Sequence, residues 1–289
     1  MEKILITGAS GLLGYKLVKA LSQDYEVIPT HNKHLAHPGS VKMDIVDRNE
    51  VFRVLSRVRP KLVVHAAAET NVDKCETNRE LSWSVNAEGT RSIAQACGKI
   101  GAKLVYVSTD YVFDGEKGLY REEDKANPVN YYGVTKLKGE EFVKEICNDF
   151  VIARTSVLYG RHPSMTNFAT WVLDSLRDGK SVNVVNDHFN SPTLADDLAG
   201  MILRMMKMDA NGVYHAAGSE RVSRYDFAVK LAEIFELDMT LVAPVKMEDL
   251  KVWVAKRPRD SSLCIDKIRK EMGIEPPSLG EALRRMLHS

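Results

Sequence analysis

Tyr132 and Lys136 lie four residues apart in Tyr132-Gly133-Val134-Thr135-Lys136. On a helix, that spacing puts a phenol and an ammonium on one face. A free tyrosine titrates at about 10, too high for ready proton exchange near neutrality. An ammonium within about 4–6 Å favours phenolate and lowers that value. The pair therefore suits a phenol that gives a proton to a carbonyl oxygen as hydride arrives at the carbon. Ser108 and Thr109 end a strand-like run, and a hydroxyl there is placed to hydrogen-bond the same oxygen. Alone, the Tyr/Lys spacing is common on helix surfaces. Its weight comes from its combination with these hydroxyls and with a glycine loop upstream.

That loop is Gly8-Ala9-Ser10-Gly11-Leu12-Leu13-Gly14, between a first strand and a first helix. Glycine lets the backbone turn tightly and approach a pyrophosphate, and the helix N-terminus offers free N–H groups to the anion. Gly8, Ser10, Gly11, Leu12 and Leu13 are thus candidates to hold a dinucleotide, against the plainer reading of an ordinary strand-to-helix turn. A carboxylate about 20 residues on would bind a ribose 2′-hydroxyl. Here the second strand runs into Thr30-His31-Asn32-Lys33-His34, without an acid. His31, Asn32 and Lys33 favour a 2′-phosphate, hence NADP(H) over NAD(H). His31, His34 and His37 are also spaced like a metal cluster, but loop histidines without a carboxylate or cysteine partner are more often solvent-facing, and no metal is expected. Asp44 is placed to accept from an adenine amino group, whereas Asp47 reads as a helix cap. The small residues of His65-Ala66-Ala67-Ala68 let backbone lie against a flat cofactor, though core packing explains them nearly as well.

The elements that must position these groups alternate. Strands are expected at Lys3–Thr7, Tyr25–Thr30, Val41–Asp44, Leu62–Ala67, Lys103–Ser108 and Phe150–Arg154. Helices are expected at Leu12–Leu21, Glu50–Val58 (behind a capping box, Asp47-Arg48-Asn49-Glu50), Asn86–Ile100 and Tyr132–Ile146. This is the pattern of right-handed βαβ units: an α/β, Rossmann-like, doubly wound parallel sheet. The later half is less regular, with helices expected at Asn167–Asp178, Asp196–Met206 and Ser223–Phe235 and a strand at Gly212–Ala216. We expect residues 1–157 to form a dinucleotide-binding domain and 158–289 mainly a smaller substrate-binding lobe, with segments near 182–217 crossing back to the sheet.

Lys plus Arg is 40 against 39 Asp plus Glu, so the net charge is +1, without the cationic excess of a nucleic-acid or polybasic membrane binder. No apolar run approaches the roughly 18 residues of a membrane span, and the N-terminus does not read as a signal peptide. Cysteines at 75, 97, 147 and 264 have no metal or redox spacing, so reduced thiols in the cytoplasm are expected.

The chain resembles the extended short-chain dehydrogenase/reductases and, within them, the dTDP-4-dehydrorhamnose reductase family. The resemblance rests on Thr7–Gly14, Asp73-Lys74-Cys75-Glu76, Ser108-Thr109-Asp110-Tyr111-Val112-Phe113-Asp114-Gly115 and Pro128-Val129-Asn130-Tyr131-Tyr132-Gly133-Val134-Thr135-Lys136. Arg154-Thr155-Ser156, Asn167-Phe168, Ser191-Pro192-Thr193 and Arg257-Pro258 continue it in the expected order. It implies a Thr109/Tyr132/Lys136 triad. It implies cofactor contacts from Gly11, Leu12, Leu13, Asp44, Ile45, Ala68, Glu69, Thr70 and Val107 beside Ala67, with Lys136 on the nicotinamide ribose. It also implies that Thr109 and Asp110 face the sugar. Arg257 becomes a candidate for a substrate diphosphate, against the alternative of a surface ion pair. The implied reaction is NAD(P)H-dependent reduction of a nucleotide-linked 4-keto sugar, foremost dTDP-4-dehydro-L-rhamnose to dTDP-L-rhamnose. Homodimers are usual among such proteins.

Two positions depart from the pattern. Val157 stands where members often have a substrate-facing Trp, and Lys16 where some carry a Glu that helps bind an intersubunit magnesium ion. A second class of protein shares Tyr120-Arg121-Glu122-Glu123-Asp124 and Arg257-Pro258-Arg259: the regulatory β subunit of methionine adenosyltransferase, a dinucleotide-binding partner rather than a catalyst.

Overall fold

The computed structural model describes residues 1–35 and 37–288. Strands β1 (Lys3–Thr7), β2 (Glu26–His31), β3 (Val41–Lys42), β4 (Leu62–His65), β5 (Lys103–Thr109) and β6 (Phe150–Thr155) join a later strand, Gly212–His215, in one sheet. Its seven strands are ordered Gly212–His215, β6, β5, β4, β1, β2, β3. Every pairing in it is parallel. The chain leaves β1 in one direction for β2 and β3 and in the other for β4 to β6, so the switch point lies between β1 and β4, where open α/β sheets bind ligands.

Both faces of the sheet are covered, as a parallel sheet requires. Because side chains alternate along a strand, Ile4 and Ile6 face one layer and Leu5 the other. The first layer packs Leu13, Leu17 and Leu21 of helix α1 (Leu12–Leu21) together with Leu198, Ile202 and Met205. The last three belong to the helix Ala195–Lys207, so the chain returns to the sheet well after β6. The second layer packs Val51, Leu55, Ile93, Cys97 and Val143 against Leu5, Val63, Leu104 and Ile152. A third cluster, with Val172, Phe227, Leu231 and Leu283, forms a further core built from the later part of the chain.

Two local differences from the sequence expectations bear on the site. The helix expected at Asn86–Ile100 begins as a π-turn, Trp83–Glu88, before the α-helix Gly89–Ile100. The wider turn carries Asn86. The capping box expected at residues 47–50 is only half formed. Asp47 accepts from the Glu50 N–H at 3.0 Å, but Glu50 turns to the Asp44 N–H at 3.2 Å and to Arg53. The helix accordingly starts earlier, at Arg48.

Candidate active site

The glycine loop closes β1 onto α1. Gly8 has φ +68°, and a Cβ there would lie 2.7 Å from the Ala67 nitrogen. A Cβ on Gly14 would run into the Gly8 carbonyl and stand 2.6 Å from Ala9 Cα. Gly11 is the N-cap of α1 and supplies no side-chain cap, so the first turn keeps its N–H groups for an outside acceptor. A cradle that only backbone can fill, beside an uncapped helix end, fits a dinucleotide pyrophosphate.

Opposite that loop, a buried relay fixes the Ala67–Thr70 stretch. The Ala67 N–H donates to Thr7 Oγ1 (3.2 Å), Thr7 meets His65 Nδ1 (2.6 Å), and His65 Nε2 meets Thr90 (3.1 Å). Thr90 donates to the Asn86 carbonyl at 2.7 Å. Its one proton is therefore spent, so Nε2 of His65 is the donor and Nδ1 accepts from Thr7. Burial holds His65 neutral, with its pKa pushed down to about 3. From the π-turn, Asn86 grips both ends of the Glu69 backbone, accepting from its N–H (2.8 Å) and donating to its carbonyl (3.0 Å). Nothing in the local sequence marks Asn86; its role appears only when the π-turn faces the end of β4.

The remaining candidate cofactor residues divide. His31 is hydrogen-bonded through Nδ1 to Ser40 (2.7 Å), and Asn32 and Lys33 are exposed beyond the tip of β2. His37 stacks on Tyr15 and contacts the Ala9 carbonyl at 3.2 Å. Asp44 accepts from the Val46 N–H at 3.0 Å. The Ile45 side chain is buried in the core against Gly89. The Val107 carbonyl is taken by Lys136 Nζ at 2.7 Å.

Tyr132 and Lys136 sit on the helix Tyr131–Ile146. Its N-cap, Asn130, accepts from the Gly133 N–H at 2.9 Å and donates to the Lys256 carbonyl at 2.9 Å. The helix start is thereby tied to the late loop that carries Arg257. The Tyr132 phenol lies close to Thr109 and meets the Tyr111 ring edge-on at 5.9 Å. The expected lowering of its pKa is not found in the ligand-free site. Burial raises it above the usual tyrosine range, and Thr109 opposes that only in part. Lys136 is itself weakened. Burial pushes its pKa down to about 7, against the pull of Glu140 and Cys75. The phenol is thus protonated, as a proton donor must be.

Of the two strand-end hydroxyls, only Thr109 faces the phenol. Ser108 alternates to the opposite face and donates to Glu140 at 2.7 Å, inside the buried Glu140–Arg154 ion pair. Asp110 is buried and accepts from Thr109 (3.1 Å), Ser156 (2.8 Å) and Ser261 (2.5 Å). Three of its acceptor positions are thus used, one of them in orienting Thr109. Arg257 closes a two-pronged ion pair on Asp73, at 2.7 and 2.9 Å. The ion-pair alternative for Arg257 is thus the observed arrangement, and its fork is not open to a phosphate.

The RmlD substrate binding domain model matches residues 1–289. The chain belongs to that family. A dTDP-4-dehydrorhamnose reductase of Bacillus anthracis, solved in complex with NADP, superposes with a TM-score of 0.92 at 35% identity, covering 99% of each chain. A Haloferax volcanii protein named a probable low-salt glycan biosynthesis reductase is 33% identical over 96% of this chain and 95% of its own. The β subunit of bovine methionine adenosyltransferase 2 is 33% identical over 91% of this chain and 80% of its own. As an RmlD-family chain with this fold and site, the protein is an NAD(P)-dependent oxidoreductase of the dTDP-4-dehydrorhamnose reductase type. The two positions that depart from the expected pattern have distinct surroundings. Lys16 is buried and pairs with Asp196 at 3.0 Å, and Val157 adopts φ +42°, a conformation that branched residues rarely take. Among the described residues, no helix is long and apolar enough to cross a membrane.

Proposed function

We propose that this chain reduces the 4-keto group of a nucleotide-linked sugar, with NADP(H) favoured over NAD(H) and dTDP-4-dehydro-L-rhamnose the foremost substrate. The observation that carries this reading is the placement of Tyr132 beside Thr109, with Lys136 one helical turn on along the same helix and its Nζ fixed on the Val107 carbonyl at 2.7 Å. Gly8, Ser10, Gly11, Leu12 and Leu13 would hold the pyrophosphate, Asp44 and the Ile45 backbone the adenine, and His31, Asn32 and Lys33 a 2′-phosphate. Ala67, Ala68, Glu69, Thr70 and Val107 would line the path to the ribose, which Lys136 would hold. When bound, the dihydronicotinamide supplies hydride. Tyr132 gives its proton to the sugar oxygen, which becomes a far stronger base than phenolate as the carbonyl is reduced. Thr109 would face the same oxygen, and would donate to it by turning its one hydroxyl proton away from Asp110. The unpaired thiols of all four cysteines support a reducing, cytoplasmic setting.

Turnover of dTDP-, UDP- and GDP-linked 4-keto sugars with NADPH and NADH tests the reading. Tyr132→Phe should lower kcat about 10²- to 10⁴-fold with little change in NADPH affinity. Unchanged turnover in that variant rejects Tyr132 as the donor. The likeness to the methionine adenosyltransferase β subunit supports a second reading, a regulatory partner. It gains if no keto sugar is turned over while the chain co-purifies with an adenosyltransferase.

A further inference from the structure

A row of rings starts at the catalytic phenol. Tyr111 follows Tyr132, His188 lies 6.5 Å from Tyr111, Trp253 lies 5.8 Å from His188, and Arg257 covers Trp253 at 5.0 Å. Arg224 enters this row from the smaller lobe, as the first residue of the helix Arg224–Ile234. Its backbone N–H donates to the His188 carbonyl at 3.0 Å, its guanidinium packs 4.8 Å over Phe168, and it lies close to Tyr111.

The two arginines differ electrically. Arg257 is neutralised by Asp73. Among the described residues, Arg224 has no carboxylate in an ion pair with it. Asp110 attracts it through space, but that carboxylate already receives three hydroxyls. Burial and the like charge of Arg257 both weaken the Arg224 cation, a state that an arriving anion relieves.

His188 adds a second unsatisfied group. It is 1% exposed, and its Nδ1 has no hydrogen-bond partner. The surrounding network fixes its proton. Ser261 donates to Asp110, so it must accept from Asn190 Nδ2 (3.0 Å). The other hydrogen of that amide points to His188 Nε2 at 3.4 Å, so Nε2 accepts and the ring proton sits on Nδ1. A buried N–H donor without an acceptor thus lies beside a guanidinium without a carboxylate. Asn190 Oδ1 is also unpartnered, but it carries no charge, whereas the guanidinium and the ring N–H together match a phosphate oxygen.

We propose that Arg224, seconded by His188 Nδ1–H, binds a phosphate oxygen of the nucleotide sugar's diphosphate, while Arg257 positions the Trp253 loop through Asp73. This rests on the nucleotide-sugar reading above and assigns the charge in that site to a different arginine from the one the sequence suggested.

The test titrates dTDP against thymidine, UDP against uridine and GDP against guanosine into NADPH-saturated protein. In Arg224→Gln the affinity advantage of the diphosphate over its nucleoside should fall about ten- to a hundredfold, with NADPH affinity unchanged. In Arg257→Gln, nucleoside and diphosphate should weaken alike. If Arg224→Gln no longer binds NADPH, Arg224→Leu, which keeps an apolar stem over Phe168, is read in its place. A full diphosphate advantage in the Arg224 variant, or its loss in Arg257→Gln alone, overturns the assignment. Wild-type protein that binds no nucleoside diphosphate removes the nucleotide-sugar reading and this assignment together, a result distinct from the failure of Arg224 alone.

Discussion

Lys136 holds its Nζ 4.1 Å from the centroid of the Tyr106 ring while donating to the Val107 carbonyl. The ring face and the carbonyl dipole replace water around an amine that is 3% exposed, and they do so incompletely, which is why burial brings its pKa down to about 7. In the unfolded chain the same amine titrates near its ordinary 10.5. Between those values the unfolded state binds more protons, so this group makes stability rise with pH from about 7 towards 10.5, and below about 7 the folded protein carries the whole cost of a buried cation. Lys136→Met should flatten that dependence. Urea midpoints of the ligand-free proteins between pH 7 and 9 check this, and parallel slopes for wild type and variant would contradict it.

Buried histidines set the acid side. Burial pushes His65 and His215 down to about 3, with Lys136 adding to the first and Arg154 to the second, and it carries His188 well below its ordinary value. Each is neutral when folded and free to protonate when unfolded, so stability should fall as pH drops below about 6.5, continuing to about 3 for His65 and His215. Replacing His65 with Gln, which can still bridge Thr7 and Thr90, should remove one proton from that slope. Denaturation midpoints at pH 7, 6 and 5 read the difference; an unchanged slope rejects a neutral His65.

Behind the catalytic helix, Arg154 grips Glu140 at 2.9 and 2.7 Å, with Ser108 as a third donor. The two side chains are 3% and 0% exposed. Burial alone would raise the Glu140 carboxyl, but Arg154 outweighs it and holds the group below the usual carboxylate range. Arg154→Met leaves that buried charge with only Ser108 and Lys144, 3.6 Å away, and should cost about 3–5 kcal/mol. Arg154→Met combined with Glu140→Leu should cost less than Arg154→Met alone. Guanidinium denaturation of the three proteins decides it, and a double variant weaker than the single would show that the pair itself stabilises.

The groups legible in the sequence are those whose chemistry is local. Tyr132 and Lys136 are one helical turn apart, Gly8 to Gly14 is one turn of loop, and their element types follow from short-range periodicity. What sequence order hides is strand parity and long-range return. Ser108 and Thr109 look equivalent until the pleat sends one to Glu140 and the other to Tyr132. Arg257 looks free until residue 73, 184 positions away, closes on it. Arg224 and His188 carry no motif, and they come to Tyr111 only through contacts between residues far apart in the chain. Asn86 depends on a π-turn that amphipathic periodicity does not reveal.

Gly14 separates a packing role from a binding one. A methyl there meets the Gly8 carbonyl and Ala9 Cα, both backbone atoms with no rotamer to yield. Gly14→Ala should therefore open the loop, destabilising the fold by about 1–3 kcal/mol and weakening NADPH together with it. Gly98→Ala is the control, since the nearest atom to its added methyl is 3.7 Å away. Fluorescence titration of NADPH with both variants checks the pairing, and equal NADPH affinities would mean that the loop does not hold the cofactor.

Asp73 fastens the late loop to the catalytic half of the site. Its carboxylate accepts from both prongs of Arg257 and from the Val254 and Ala255 N–H groups, each at 2.9 Å. Burial tends to raise the Asp73 pKa, but these four donors hold it below the usual range, so the clasp stays charged through neutral pH. Asp73→Asn keeps the size of the side chain, removes its charge and puts a donor in place of one acceptor. The loop from Lys246 to Arg259 should then loosen, and the Trp253 wall of the cleft with it. The expected outcome is a rise in KM for the nucleotide sugar of about tenfold, with kcat kept within a few-fold, because Tyr132, Thr109 and Lys136 are untouched. Limited proteolysis at Lys251 and Lys256 should speed up in parallel. A fall in kcat at unchanged KM would instead place Asp73 in the proton-transfer machinery and refute its role as a clasp.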